Sequence, residues 1–484
     1  MKKRVDLQKE ILETGILLAK EKDRTKLLEM ILDKGMWISG CDAGTLYVYE
    51  NEALTFKIMK TRSTNVSRGG DGERIDLPPV SMREENVCAY AGLHRRIVNI
   101  RDVSESGEFD FSGPTKYDSL TGYQTKTMLV IPVMNQEDTL IGVLQLINAM
   151  DETGRIIPFS EELEPVLLSL TSQAAIVMSN ILYLEEMRQQ MWSFTEAMAE
   201  AIDARTPYNG THTRKVADYA GTLCDYINEL HAQGKEPLFF DENRRDQLVM
   251  GALLHDIGKM IIPLEVMNKA SRLGSRREQL ENRFRLLELK YENAALRGLL
   301  PEEDAANRQK QLEQLTQLVR ESDGAEFLTP EQSEQLEQAF LLSYEVGEER
   351  IPYFTEEEKT CLRVVRGTLT REERDIMETH VEMTERILKK VHFNRYFKNS
   401  PRWAVTHHEL LDGSGYPRHL TGEQLEPESR ILTVSDICDA LLATDRPYKK
   451  PMSRERAFSI MEAMAEEGKL DKTLVGYAKQ CLAK

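Results

Sequence analysis

Apolar residues recur at helical spacing across residues 5–38, at Leu7, Ile11, Ile16, Leu17, Leu27, Leu28, Ile31 and Leu32, and predict helical structure there. The period then drops toward two. Residues 45–49 and 54–58 read as strands joined by the polar turn Glu50-Asn51-Glu52, and 127–133 and 140–147 as a second pair around a turn at 135–138. A long helix is predicted from about Ser160 past Met187. Its stripe continues through Ile181, Leu182, Leu184, Met187, Met191, Phe194, Met198 and Ile202 without proline or glycine, so residues 180–205 form one stiff helix. That helix reads either as a core helix of a second domain or as a parallel coiled segment across a dimer. Its first half is expected to link and its second half to begin the next bundle.

From about residue 206 the pattern is helical throughout, apart from loops such as 411–429. Leu280, Phe284, Leu287, Tyr291 and Ala294 step by four and three, a coiled-coil rhythm that Gly298 and Pro301 break. Leu312, Leu315 and Val319 form a second stripe, and the two together predict a projecting helical hairpin. No apolar run approaches the length of a membrane span; 128–134 is among the longest and suits a strand.

At 484 residues the chain exceeds a single core, and two to three domains are expected. The net charge of -17 argues against a nucleic-acid groove or an anionic membrane as the main partner. An anionic substrate would need local compensation from metals and a few Lys or Arg. The six cysteines are scattered without a CxxC pair and read as reduced thiols of a cytoplasmic protein. Met1-Lys2-Lys3-Arg4 is basic, but Asp6, Glu10 and Glu13 follow, against a signal peptide. Arg68-Gly69-Gly70-Asp71-Gly72 lacks the ending of a phosphate loop and reads as a surface loop.

The chemistry gathers around residues 251–259, where an apolar helical run delivers His255-Asp256, then Gly258 and Lys259. Adjacent helical side chains diverge by about 100°, so this imidazole and carboxylate can reach two metal ions, or one from two sides. His212, His380, His407-His408, Asp436 and Asp439 accompany the pair along the chain. His94, His231, His392 and His419 lie outside these motifs and read as ordinary.

With His255-Asp256, His407-His408-Glu409, Gly415-Tyr416-Pro417 and the run 445–449 in order over more than 200 residues, the chain resembles the HD-GYP family of cyclic di-GMP phosphodiesterases. The resemblance implies an all-α HD bundle in which His212, His255, Asp256, His380, His407, His408 and Asp436 hold metal, with Asp256 bridging. It implies that Lys259 meets the phosphate, that Arg446 and Lys449 grip a nucleotide, and that Tyr416 lines the rim or packs the turn. Asp439 takes a substrate or a supporting role. Tyr208 stands where some members carry a glutamate for a third metal, so two divalent ions are expected, Fe or Mn; Thr206 replaces a nearby aspartate.

The run Asp42-Ala43-Gly44-Thr45-Leu46-Tyr47, residues 121–148 and Phe159-Ser160-Glu161-Glu162 resemble the GAF domain, an α+β sensing module with an antiparallel sheet flanked by helices. Asn148 is followed by Ala149 where cyclic-nucleotide binders carry Asn-Lys; a small-molecule ligand and a ligand-free dimerising module both fit. The expected organisation is a GAF-like domain over 1–182, a linker helix over 183–205, and an HD-GYP domain over 206–484 interrupted by a helical insertion at about 275–365. The expected activity is hydrolysis of cyclic di-GMP to the linear dinucleotide, with the further step to GMP left open by the sequence, in a homodimer. Cyclic GMP-AMP hydrolysis and a non-catalytic receptor or scaffold are the alternatives.

Overall fold

The computed structural model describes residues 23–205, 211–346, 349–443 and 452–482, together with 15, 17, 20 and 21. The predicted helical positions Leu7, Ile11 and Ile16 lie outside the described residues. Two compact units divide the chain, Met1–Gln189 and Gln190–Lys484.

The first unit is built on an antiparallel sheet. Its strands are β1 (Cys41–Glu50), β2 (Ala53–Thr61), β3 (Val66–Gly69), β4 (Val80–Ser81), β5 (Val98–Ile100), β6 (Met128–Met134), β7 (Leu140–Met150) and β8 (Ile156–Ile157). The main order is β3-β2-β1-β7-β6-β5, with β4 on β2 and β8 on β7. Both predicted hairpins are present; β1, β2 and β7 run longer than their alternation indicated, and β6 keeps the predicted length. Asn51 and Glu52 take φ of 52° and 60°, the two-residue turn whose twist matches a hairpin.

The apolar run of β6 follows from burial on both sheet faces. Alternate residues point to opposite faces. Leu129, Ile131 and Val133 join a core with Leu27, Ile31 and Leu32 of the helix Arg24–Ser39. Met128 and Val130 join a second core with Tyr47, Val87, Cys88 and Ala91. This second face borders a cavity of about 460 Å³ lined by Tyr47, Phe56, Met59, Leu77, Val87 and Cys88 among others.

The predicted long helix is one element, Glu164–Asp203. The segment Glu161–Asp203 is long and apolar enough by length and composition to cross a membrane, with a mean hydropathy of 1.5 in its most apolar window. This corrects the expectation that no run reaches that length. Uncharged Ser, Thr, Gln and Asn between the aliphatic residues conceal it in the sequence. Its Leu167, Leu170, Ala174, Ala175 and Met178 are buried in the first core, as a packed amphipathic helix requires.

The second unit is mainly helical. Its central core joins Val216, Ala220 and Leu223 of the helix His212–Ala232 to Leu248 and Ala252 of Glu242–Leu254 and to Ile431, Leu432 and Val434 of Pro427–Leu442. Residues 276–362 differ from the predicted hairpin. The helices Arg276–Leu296 and Glu302–Asp323 are followed by a third helix, Pro330–Phe340, a strand pair β9 (Ser343–Val346) and β10 (Glu349–Pro352), and the helix Glu356–Leu362. The predicted stripes Leu280, Phe284, Leu287, Tyr291 and Leu312, Leu315, Val319 are buried with Leu336, Phe340 and Phe354 in one core. A helical rhythm gives the first two helices but says nothing of the partners that complete their core.

Arg272 ties this segment down. It is 0% exposed and donates from Nε to the Val364 carbonyl at 2.6 Å and from Nη1 to that of Ser322 at 2.7 Å. Truncation leaves buried carbonyls unpaired. Arg272→Met is therefore expected to destabilise the second unit by about 3 kcal/mol, read as a lower urea midpoint; a change under about 0.5 kcal/mol would refute this role.

Candidate metal centre and sensor cavity

The helix Glu242–Leu254 is capped by Asp241, which accepts from the Arg244 amide at 2.7 Å. It stops just short of the expected pair. His255 sits at its C-terminal cap, and Asp256 opens a 3-10 turn, Ile257–Ile261. Three residues complete a 3-10 turn, so Lys259 returns to the side of Asp256 and pairs with its Oδ2. Gly258 permits the packing above this turn, because a Cβ there would lie 1.9 Å from the His380 carbonyl oxygen. Thr384 bridges the two elements: its hydroxyl accepts from the Gly258 amide at 3.0 Å and donates to the His255 carbonyl at 3.0 Å.

Asp256 is 2% exposed and meets histidines on both carboxylate oxygens. Oδ1 lies 3.4 Å from His380 Nε2 and 3.8 Å from His407 Nε2. Oδ2 lies 3.1 Å from His255 Nε2 and 3.4 Å from His212 Nε2. Asp436 Oδ1 stands 3.3 Å from His212 Nε2, and Asp436 Oδ2 stands 3.9 Å from His408 Nδ1. All seven residues expected as ligands are thereby brought together. They form three overlapping sets whose donor atoms lie within 4.8 Å of one another: His380, His407 and His408; His212, His255 and Asp436; His255, Asp256 and His407.

The backs of the rings are fixed. Nδ1 of His255, His380 and His407 meets the carbonyls of Ala252, Met377 and Ala404 at 2.5, 2.7 and 2.7 Å. That arrangement leaves each Nε2 lone pair facing the cluster, as metal-ligating histidines require. His212 Nδ1 meets Asp439 Oδ2 at 2.6 Å. Asp439 is itself buried.

Burial pushes the His380 imidazole down to about 3 and that of His408 to about 4. It also pushes His407 well below its ordinary value. Burial opposes protonation of His212 too, but Asp256, Asp436 and Asp439 outweigh it and raise this ring well above the usual range. Burial alone would raise the Asp256 carboxyl, yet the charges of His255 and Lys259 hold it well below the carboxylate range. Asp436 is likewise lowered against burial, chiefly by His212 and His408.

Two buried atoms test whether a metal fits. Asp256 Oδ1 and His255 Nε2 have no hydrogen-bond partner among the described residues. Buried polar atoms left so are costly, and a divalent cation held by imidazole nitrogens and carboxylates satisfies both. The donor set fits a metal.

Tyr416 stacks on His408, with ring centroids 4.7 Å apart and 26° between planes. Gly415 lets its loop close on residues 408–410, since a Cβ there would stand 2.5 Å from the His408 carbonyl oxygen. Arg446, Lys449, Thr206 and Tyr208 lie outside the described residues. Sequence reasoning assigned no role to Thr384 or Glu409. Thr384 stands one helical turn after His380, a spacing that offered a signal. Buried Glu409 accepts from the Arg418 and Leu420 amides at 2.8 and 2.9 Å; its place directly after His408 was the only cue.

In the first unit, the cavity has one cation among its described lining residues, Lys60, which pairs with Asp33 at 2.9 Å. The lining acid Asp110 accepts from the Ser112 amide at 2.8 Å. Tyr47 donates to Gln145 Oε1 at 3.0 Å on the cavity wall.

The GAF-domain family model matches residues 23–178, and two HD-domain models match residues 209–326 and 301–474. The first HD match holds His212, His255 and Asp256; the second holds His380, His407, His408 and Asp436. The two overlap within the segment read as an insertion.

Among curated proteins, the chain is 43% identical over 96 residues to 3'3'-cGAMP-specific phosphodiesterase 3 of Vibrio cholerae, covering 20% of each. It is 38% identical over 104 residues to the cyclic di-GMP phosphodiesterase response regulator RpfG of Xanthomonas campestris, covering 22% of this chain and 26% of that one. It is 40% identical over 110 residues to a cyclic di-GMP phosphodiesterase of Thermotoga maritima, covering 22% and 27%. The chain thus matches only a fifth to about a quarter of these relatives' length.

Removing the Glu409 carboxylate frees the loop that carries Tyr416. Glu409→Ala is expected to speed hydrogen exchange at the Arg418 and Leu420 amides and to cost about 2 kcal/mol; unchanged protection at both amides would show that the loop is held otherwise. The chain joins a GAF domain to an HD domain.

Proposed function

We propose that the chain is a metal-dependent phosphodiesterase that opens a cyclic dinucleotide. One observation carries the reading: five histidines and two aspartates converge, and among them a buried carboxylate oxygen of Asp256 and an imidazole nitrogen of His255 have no hydrogen-bond partner among the described residues. His212, His255, Asp256, His380, His407, His408 and Asp436 would hold two ions. Asp256 is suited to serve both, because its oxygens face different histidines. When bound, such ions acidify water to hydroxide and offset charge on the phosphate.

The protein groups do the rest. Lys259 is partly exposed beside Asp256 and offers an ammonium to a phosphate oxygen. Asp439 orients His212 from behind, which favours the supporting role over direct substrate contact. Tyr416 packs against His408 at the side of the cluster and fixes the loop that borders it. Arg446 and Lys449 complete the proposed grip on the nucleotide. Iron or manganese suits the imidazole-rich donor set.

Cyclic di-GMP is the first substrate to test, with the linear dinucleotide and then GMP as products. Cyclic GMP-AMP is the second, supported by the similarity to the cGAMP-specific enzyme of Vibrio cholerae. Anaerobically purified protein with Mn or Fe is expected to hydrolyse one of them and to carry about two metals per chain. Asp256→Ala is expected to lower turnover at least ~10³-fold. Bound metal without turnover of either substrate would move the reading to a receptor.

The GAF domain is proposed to set the rate through its cavity, in a homodimer. With the one cation among its described lining residues already paired, the cavity suits a neutral, largely apolar ligand rather than a phosphate-bearing one. Indole is expected to raise the Tm of the full chain and cyclic GMP to leave it unchanged. A shift with cyclic GMP that disappears in Lys60→Ala would overturn this assignment.

A further inference from the structure

A second recess lies in the catalytic unit, about 450 Å³ in volume, and its lining contains no residue of the metal cluster. In a chain of net charge -17, Lys389, Lys398, Arg402 and Arg418 line it, against one acid among its described lining residues, Glu385. That acid is shared, with Lys389 at 2.9 Å and Arg418 at 2.7 Å. Arg402 pairs with Glu426, 2.7 Å away and outside the lining, while Lys398 has no ion pair among the described residues. The rest of the lining is largely apolar, with Leu388, Val391, Phe393, Pro401 and Val405.

We propose that this recess binds a phosphate-bearing small molecule with a flat apolar body, of nucleotide size. Surplus Lys and Arg in its lining concentrate anions, and guanidinium groups match phosphate oxygens in geometry. The apolar lining accepts the face of a ring, and the volume lies in the range of small-molecule sites. A solvated charged surface needs neither the recess nor the apolar lining.

The recess is also built from the elements that carry the metal cluster. Lys389 caps the helix Arg371–Leu388, which holds His380. Arg402 lies in the helix Ser400–Ala404, which leads to His407 and His408. Arg418 follows Tyr416-Pro417 on the same loop, and its amide is held by Glu409. A ligand that draws Lys389, Arg402 and Arg418 together would therefore bear on the placement of His380, His408 and Tyr416.

Equilibrium dialysis with labelled GMP on the full, metal-loaded chain tests the site. A class of GMP binding is expected to survive Asp256→Ala, to be displaced by inorganic phosphate, and to be absent for guanosine. Lys389→Glu with Lys398→Glu, both at exposed positions, is expected to weaken that class by roughly tenfold or more. Undiminished GMP binding in the charge-reversed chain, equal binding of guanosine, or no binding outside the metal centre would each overturn the proposal. If Asp256→Ala does not fold, chelator-treated wild-type chain takes its place. None of these readouts depends on turnover, so they stand or fall separately from the phosphodiesterase reading.

Discussion

A carboxylate that is 2% exposed cannot keep its charge unless opposite charge and oriented dipoles surround it. Asp256 is that carboxylate, and much of the second unit can be understood as the means of surrounding it. His212, His255, His380 and His407 each approach it within 4 Å from different parts of the chain, and Lys259 pairs with it directly. Those groups still leave one carboxylate oxygen unsatisfied. The fold thus concentrates donor atoms and negative charge at one point, the arrangement in which a divalent cation is most strongly held.

Holding these side chains requires backbone to approach backbone. Gly258 lets the helix Arg371–Leu388 settle on the 3-10 turn, and Thr384 joins the two by accepting one hydrogen bond and donating another. Gly415 and Glu409 do the same for the loop that brings Tyr416 to His408. Neither Thr384 nor Glu409 is placed to supply a ligand in these contacts. Both set the positions of residues that do, and this is why a buried hydroxyl and a buried carboxylate stay in a crowded interior.

The first unit obeys a different constraint. Its sheet is buried on both faces, so β6 is apolar at nearly every position, and the two faces feed separate cores. One of these cores stops short of filling its space and leaves the cavity beside Tyr47 and Cys88. In the second unit, residues 276–362 have a core of their own, fastened through the buried guanidinium of Arg272.

The sequence by itself determined the elements whose pattern is local. The alternation at 45–49 and 54–58 yields β1 and β2, the stripe from Ile181 to Ile202 lies on one helix, and the order of His255-Asp256, His407-His408 and Gly415-Tyr416-Pro417 marked the residues that cluster. Only the tertiary structure decided what depends on pairing at a distance. His212 and Asp439, 227 positions apart, meet at 2.6 Å, and this turns Asp439 toward a ring nitrogen. The stripes of 276–323 likewise needed Leu336, Phe340 and Phe354 to close their core. Periodicity records which face of an element is apolar. It does not record which distant residue that face will meet, because that contact is chosen by how the whole chain packs.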